Sequence, residues 1–428
     1  MLLSTMFNVT QGAQIDDGIQ RYEYHGYEPD DGNKLNDTGE IKINIKNSDE
    51  ILHPSQSYLL FEGRLTKATG AAYADADKVT LINNAPMYLF SSSKYALSSR
   101  TIEEVSYTGQ ACTMFGLLVH SRGFSNAQGL NQLWCKDTHD SLTDANQGYL
   151  LRQEYIIRRP TAKGSFSFIM PLKDIFGFCD DYNKVVYGFK HTLTLVRRSD
   201  NDAIIRDDAA GAGKITLNRL IWLMPHVIPS ETEKLPFYKV IESKSEIPVA
   251  FRSRRCETVE VVESKKFSWT LPSQSSPNFP RYIIVGFQTN RDNDQKKNPA
   301  IFDNVKINMI RAKINSNSYP EYDYALSFPN NQVARAYRDA ASFSINYYGL
   351  NELITDSSIS TTEYCGFYPL FVFDVSRHEE KIKLSTTDIK IEAAFDENVP
   401  ANTQAFALII SDCICTFKSN GKDLSLIN

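Results

Sequence analysis

The sequence has few of the residues that build disulfide frameworks and cysteine-ligated zinc sites. Its 428 residues include seven cysteines, an odd number, and no pair is spaced as Cys-x-x-Cys. Disulfide-rich and zinc-stabilised folds use more cysteines, or cysteines that lie closer together. We therefore expect free thiols and maturation in a reducing compartment. The closest pair, Cys413 and Cys415, is expected to share one face of a strand as small hydrophobes, and a metal or redox role is the alternative.

Long hydrophobic runs and secretion signals are also missing. No segment approaches the ~18 apolar residues of a membrane span, and the most apolar stretch, Ala407–Phe417, contains Asp412. The first twelve residues lack the basic start and apolar core of a signal peptide. The sequence thus predicts a soluble protein that is not secreted through a signal peptide.

Neither sign of charge dominates. The chain has 46 Lys and Arg against 51 Asp and Glu, a net charge of −5, so it lacks the basic excess of a dedicated nucleic-acid binder. Basic residues cluster only locally, and we expect a solvated rim or a subunit contact there, with a surface facing nucleic acid as the alternative. These clusters are Arg158-Arg159, Arg197-Arg198, Arg252/Arg254/Arg255 and Lys265-Lys266.

Motifs that carry catalysis are absent from the sequence. It contains no GxSxG, HExxH or GxGxxG motif, and in the GAGKIT segment (Gly211–Thr216) the lysine is followed by Ile215 instead of Ser or Thr. That segment is expected to be a loop. The acidic pairs lack the alternating ligands of a calcium loop and are expected to be solvated turns: Asp30-Asp31, Asp180-Asp181 and Asp207-Asp208. We predict no catalytic, cofactor-binding or metal-binding residue, no cofactor, and no enzyme activity.

The seven histidines are scattered, and no two have the spacing of metal ligands. His191 stands out because strand alternation places it on an apolar face. We expect a core histidine bonded to a backbone carbonyl, and a catalytic or pH-sensing role is the alternative.

Period-two alternation of apolar and polar residues dominates the pattern and predicts half-buried β-strands. Within 303–316 the apolar phase shifts by one residue, which predicts a β-bulge near Met309 and Ile310. Representative predicted strands are Ile41–Ile45, Phe166–Met170, Tyr187–Leu195, Ile215–Met224, Tyr282–Phe287, Ile382–Leu384, Ile389–Phe395 and Phe406–Phe417.

One segment has clear helical periodicity. Apolar residues recur at three- and four-residue steps within Asn330–Gly349, where Asn330 or Asn331 is available as N-cap and Gly349 is placed to end the helix. A shorter helix is predicted over Gln110–Val119. The rest is expected to be β.

The order of elements predicts two similar β domains in tandem. Each half has a helix, an aromatic strand next to Pro-Leu (Pro171-Leu172 and Pro369-Leu370), an alternating strand, and a final apolar strand. About eight strands in each half suit a jelly-roll sandwich. The predicted organisation is an extended N-terminal arm at 1–37, a first jelly roll at 38–228, an inter-domain linker at 229–249 and a second jelly roll at 250–428.

Two segments carry recognisable motifs. Phe279–Pro320 contains a Pro-Arg-Tyr strand, a Gln-Thr-Asn-Arg turn, an Asn-Pro loop and a Ser-Tyr-Pro corner. Ile169–Arg206 contains, in this order, Pro-Leu, Ile-Phe-Gly-Phe and Tyr-Gly-Phe-Lys-His-Thr-Leu-Thr-Leu. The first segment resembles double jelly-roll major capsid proteins of the Polinton/Maverick, adintovirus and virophage-like group, and the second resembles the end of the first jelly roll in these proteins.

The resemblance implies an all-β protein of two tandem eight-stranded jelly-roll sandwiches with short helices in the loops. It implies a homotrimeric, pseudo-hexameric capsomer that tiles an icosahedral viral shell. The expected partners are the chain itself, neighbouring capsomers, and penton and minor capsid proteins, with packaged DNA on the inner face; an inner membrane is left open. The virion capsid is the expected location, with assembly inside the host cell.

Two other function classes compete with this interpretation. Exposed tyrosines also suit a jelly-roll glycan-binding spike or lectin, because aromatic rings stack on sugars. A jelly-roll hydrolase needs two carboxylates that face one cleft, and nothing in the sequence points to such a pair.

Overall fold

The fold consists of antiparallel sheets. A computed structural model describes residues 18–46, 49–243, 246–272, 279–351, 357–377, 388–419 and 424–427. The predicted strand at Ile382–Leu384 lies outside these residues.

The first half of the chain forms a two-sheet sandwich. One sheet has the order β1-β10-β3-β7, the other has the order β2-β8-β5-β6, and β4 and β9 form a separate ribbon. The strands are β1 (Ile19–Tyr27), β2 (Gly39–Ile45), β3 (Tyr58–Lys67), β4 (Val79–Leu81), β5 (Phe90–Leu97), β6 (Arg100–Ser106), β7 (Ser165–Pro171), β8 (His191–Arg197), β9 (Ile204–Arg206) and β10 (Gly213–Pro229).

The second half forms another two-sheet sandwich. Its sheets have the orders β11-β18-β13-β16 and β12-β17-β14-β15, and β19 pairs with the end of β18. The strands are β11 (Glu246–Val261), β12 (Lys266–Thr270), β13 (Phe279–Thr289), β14 (Ile307–Ile314), β15 (Asn317–Tyr319), β16 (Phe371–Asp374), β17 (Ile389–Phe395), β18 (Thr403–Ser419) and β19 (Leu424–Ile427).

The two sandwiches have the same topology. Within the part of the chain that the structure describes, and without the β4–β9 ribbon and β19, each sandwich has eight strands. In chain order, both place strands 1, 8, 3 and 6 in one sheet and strands 2, 7, 4 and 5 in the other. This is the double-sheet arrangement of a jelly roll. The predicted fold class, two tandem eight-stranded jelly rolls, is confirmed.

Helices fill corresponding connections in the two sandwiches. Each sandwich has a long insertion between its fifth and sixth strands, which holds α2–α4 in the first and α8–α10 in the second. The helices are α1 (Ala85–Tyr88), α2 (Thr108–Val119), α3 (Arg122–Asn126), α4 (Gln147–Ile156), α5 (Leu172–Ile175), α6 (Gly177–Asp181), α7 (Glu231–Glu242), α8 (Ala334–Ala341), α9 (Phe343–Tyr348) and α10 (Thr361–Gly366).

Both predicted helical segments are confirmed, with differences in detail. The first is α2, and the second is divided at Ser342 into α8 and α9. Gly349 ends α9 with a φ of 65°, a conformation that glycine adopts without steric cost. The expected N-cap is wrong, because Val333 holds that position and Asn331 forms part of a turn. The other helices correspond to the short helices that the resemblance implies in the loops, whose bounds the sequence pattern does not indicate.

The predicted arm at 1–37 contains a packed strand. β1 pairs with β10 from Ile19 to Tyr27 and is the first strand of the first sandwich. Seven of its nine residues are exposed, so it has none of the alternation that reveals a half-buried strand. The beginning of the sandwich therefore precedes residue 38.

The proposed linker at 229–249 is mostly structured. It contains α7, with Pro236 inside the helix, and the first residues of β11, which begins at Glu246.

Two strand details differ slightly from the sequence predictions. The bulge in β14 lies between Ile307 and Met309, next to its predicted position. The strand predicted to begin at Tyr187 begins at His191.

Candidate functional site at the junction of the two sandwiches

The described residues contain no group of three or more His, Cys, Asp or Glu side chains arranged to hold a metal ion. No helix among them is long and apolar enough to cross a membrane.

All seven cysteines are free. Cys415 is buried and Cys413 half-buried, and burial raises the pKa of both thiols. These two side chains pack as hydrophobes do.

His191 lies in the core of the first sandwich, as expected, but its partner is different. Its Nδ1 lies 2.6 Å from the hydroxyl of Tyr95 instead of bonding to a backbone carbonyl. Burial lowers the pKa of His191 to about 3, so the imidazole is neutral. A neutral, fully buried imidazole between packed strands is a structural group.

Strand pairing brings other histidines together at one end of β1. The rings of His25 and His226 stack with their centroids 3.9 Å apart. Nε2 of His226 lies 2.8 Å from the hydroxyl of Tyr27, and its Nδ1 lies 3.2 Å from Glu50. No sequence signal marks this cluster, because His25 and His226 meet only through the pairing of β1 with β10.

The acidic pair Asp180-Asp181 does not form a solvated turn. Both residues end α6 of the first sandwich and bind arginines of β11, the first strand of the second sandwich. Nη2 of Arg254 lies 2.6 Å from Oδ2 of Asp180, and Nε of Arg252 lies 2.9 Å from Oδ2 of Asp181. The side chains of Arg254 and Asp180 are 2% and 8% exposed. The predicted surface cluster at Arg252/Arg254 is therefore an interior contact between the sandwiches.

Glu103 is the buried centre of this junction. Its Oε1 accepts hydrogen bonds from the backbone N–H groups of Gly177 (3.0 Å) and Arg254 (2.6 Å). Its Oε2 accepts from the N–H of Phe178 at 2.9 Å. Burial raises the pKa of Glu103 to about 7, although the three N–H donors and Arg254 favour its charged form. One carboxyl group thus joins β6, α6 and β11.

Aromatic rings from both insertions cover the two arginines. The guanidinium of Arg252 lies 3.5 Å from the ring centroid of Tyr347 in α9, and that of Arg254 lies 3.7 Å from Phe115 in α2. The rings of Phe115 and Tyr347 meet edge to face at 5.4 Å. The hydroxyl of Tyr348 donates to Asp180 at 2.9 Å. Desolvated cation–π contacts of this kind strengthen the ion pairs that they enclose.

A second contact zone joins the loop after β13 to the first sandwich. The side-chain amide of Gln295 exchanges hydrogen bonds with the backbone N–H and C=O of Gly213, both at 2.8 Å. Asn298 donates to Asp137 at 2.8 Å, and Asp137 forms a buried ion pair with Arg152 at 2.6 Å. The two zones fix the orientation of one sandwich against the other. Both zones hold their polar groups in hydrogen bonds and ion pairs that cross from one sandwich to the other.

The comparisons with known proteins agree with this architecture. A family model described as a double jelly roll-like domain matches residues 79–415. The chain belongs to this family. No curated protein matches the sequence.

Solved structures of viral proteins share the fold of this family member. A chain of the Sputnik virophage cryo-EM structure matches with a TM-score of 0.58 and 8% identity, covering 100% of this chain and 92% of that one. The Faustovirus major capsid protein has a TM-score of 0.57 and 10% identity over 94% and 91% of the two chains. The mavirus major capsid protein has a TM-score of 0.53 and 10% identity over 98% and 92%. The resemblance to double jelly-roll capsid proteins is confirmed at the level of the fold.

Proposed function

We propose that this protein is a viral major capsid protein whose homotrimers act as pseudo-hexameric capsomers and tile an icosahedral shell. The observation that carries the proposal is the presence in one chain of two sandwiches with the same strand order. Similarity to major capsid proteins of Faustovirus and mavirus supports the capsid role. Three chains around a threefold axis would supply six similar sandwiches, which suits hexagonal tiling through repeated contacts.

A rigid junction supports this geometry. A capsomer keeps its outline only if the two sandwiches of each chain do not swing against each other. The buried pair Arg254–Asp180 and the buried carboxyl group of Glu103 hold them together. Inter-domain interfaces without such contacts usually permit relative motion.

The edge strand β1 is the candidate subunit boundary. It lies at the end of its sheet, and exposed edges are sites where another chain binds. Ile19, Tyr22 and Tyr24 on this strand are 50%, 38% and 44% exposed. Tyrosines are enriched at protein interfaces because their rings bury a large area and keep a polar group. We propose that a second copy of the chain covers this strand in the trimer.

The remaining partners follow from the capsid role. We propose contacts with neighbouring capsomers and with penton and minor capsid proteins, and a virion location. Arg158-Arg159 and Lys265-Lys266 are exposed, so these two predicted basic clusters remain available to packaged DNA. The proposed role requires no catalysis and no cofactor.

Light scattering of the purified protein tests the trimer. We expect a mass of about 145 kDa, three times the 48.5 kDa of the chain. Tyr24→Arg should yield monomers, while Tyr322→Arg, which changes another exposed tyrosine, should leave the trimer intact. A stable wild-type monomer would contradict the proposed function. A trimeric Tyr24→Arg variant would contradict only the assignment of the contact to β1.

The glycan-binding alternative is separated by a glycan array. Tyr322 is 77% exposed, and aromatic side chains of this kind can stack on sugars. Specific sugar binding by a monomeric protein would favour that alternative, and a trimer without sugar binding would favour the capsid.

A further inference from the structure

A small cavity of about 150 Å³ lies on the second sandwich, outside the junction described above. The insertion that holds α8 and α9 folds back over β13 and β16 and encloses it together with the corner at the end of β15. The tyrosines of this corner take no part in the proposed capsid role.

Aromatic rings form the walls of this cavity. The ring of Tyr282 meets that of Phe343 edge to face at 5.1 Å, and the ring of Tyr324 lies 6.3 Å from that of Phe373. All four residues are less than 10% exposed, so packing holds the rings in place. Preorganised rings present their negative faces to a ligand at little entropic cost.

Two carboxyl groups line the same cavity. Asp339 of α8 accepts a hydrogen bond from the hydroxyl of Tyr324, and Oδ1 of Asp374 accepts one from the backbone N–H of Ser376 at 2.9 Å. Among the described residues neither carboxyl group forms an ion pair, and the lining includes no Lys, Arg or His. The neighbouring Arg335 donates to the backbone carbonyl groups of Tyr322 and Asp323, and its guanidinium lies 5.2 Å from the ring centroid of Tyr324. The lining of the cavity is thus aromatic and negatively charged, and Arg335 already contacts one of its rings.

We propose that this cavity binds an ammonium group, held by Asp339 and Asp374 against the ring of Tyr282. Aromatic faces and carboxylates together are the chemistry that recognises organic ammonium ions. Pockets for drug-sized ligands have volumes of roughly 300 Å³ or more, and this cavity has about half of that, 150 Å³. It therefore suits one cationic head group better than a sugar ring. The ammonium group has two sources, a free small amine or a lysine side chain of a neighbouring protein.

Calorimetric titration with n-butylammonium chloride tests the site. We expect saturable binding by the wild-type protein and none of n-butanol, which has the same chain without the charge. Asp374→Asn should weaken binding at least tenfold, because it removes one of two carboxylates and leaves the walls in place. Asp144→Asn, which neutralises an exposed acid in the loop before α4, should bind like the wild type.

Absence of saturable binding by the wild type would overturn the proposal, as would an Asp374→Asn variant that folds and binds with unchanged affinity. The fold of each variant is checked by its circular dichroism and melting temperature. Asp339→Asn is a second variant, although its bond to Tyr324 also supports the wall.

A titration of assembled particles distinguishes the two sources. If a free amine is the natural ligand, particles and isolated protein should both bind the probe. If a lysine of a neighbouring protein occupies the cavity, isolated protein should bind and particles should not. Binding by a protein that stays monomeric would contradict the proposed capsid role and support the ammonium site, so the two proposals fail separately.

Discussion

Gly177 lies against the backbone of Arg252, so close that a Cβ atom on the glycine would stand 1.7 Å from the arginine carbonyl oxygen. Gly177 begins α6 in the first sandwich, and Arg252 lies in β11 of the second. The position requires glycine because of this close approach and not because of an unusual φ. The backbones of the two sandwiches meet at this point.

Gly177→Ala should therefore destabilise the protein. The added methyl group cannot fit unless the sandwiches separate or α6 shifts away from Glu103, so we expect a loss of about 3 kcal/mol or more in the free energy of unfolding. Urea unfolding measures it. Gly123→Ala in α3 is the control, since its nearest non-neighbour atom would lie 3.8 Å away. Equal stability of Gly177→Ala and the wild type would show that the close contact is not maintained in solution.

Arg254→Met should cost about 3–5 kcal/mol of unfolding free energy. It keeps the apolar stem of the side chain but leaves Asp180 buried without its cation. Lys306→Met removes one partner of the exposed Lys306–Glu397 pair and should cost less than about 1 kcal/mol. Both values come from denaturant titration at neutral pH. Similar losses for the two variants would mean that the junction is open to water.

Glu103 should make the protein less stable as the pH rises. Its pKa of about 7 in the folded state exceeds the ordinary value of 4.5, so the unfolded chain loses its proton first. Protonated Glu103 therefore contributes roughly 3 kcal/mol to the free energy of unfolding. This contribution is complete below pH 4.5 and is lost as the pH rises through 7.

Glu103→Gln removes this dependence, and exposed Glu104→Gln should retain it. The measurement is the unfolding free energy of each protein from pH 4.5 to pH 8. Parallel curves for the wild type and Glu103→Gln would contradict the raised pKa.

Acidification should loosen β1. Burial lowers the pKa of His226, and the stacked His25 lowers it further, against the opposite effects of Glu50 and Glu23. The stabilising contribution of neutral His226 is therefore complete above pH 6.5 and lost as the pH falls below that value.

Hydrogen exchange reports this loosening directly. Protection factors of the β1 amides, corrected for intrinsic exchange, should fall several-fold between pH 7.5 and pH 5.5. In the His226→Asn variant, the protection factors of the β1 amides should stay the same between pH 7.5 and pH 5.5. The His139→Asn variant, which is altered at an exposed position, should behave like the wild type. Constant protection in the wild type would refute the coupling.

Much of the fold could be predicted from the sequence because its signals are local. Alternation revealed β2, β7 and β17, and helical periodicity revealed the segment that forms α8 and α9. β1 escaped prediction because an edge strand with seven exposed residues has no buried face to produce alternation. α7 escaped because Pro236 argues against a helix, although the structure places it inside one.

The junction could not be predicted for a different reason. Asp180 and Arg254 are separated by 74 residues, and each belongs to a charged cluster of the kind that normally faces solvent. Only the packing of two sandwiches brings these clusters together and removes them from water. The same holds for Gly177, whose role depends on a backbone distant in sequence.

Electron microscopy of the purified protein tests the central proposal, that the two sandwiches of one chain combine by threes into a hexagonal building block. We expect closed shells, hexagonal sheets, or single particles with threefold symmetry and six peripheral densities. Images that show only single chains with two lobes, under conditions in which the protein is folded, would contradict the proposal.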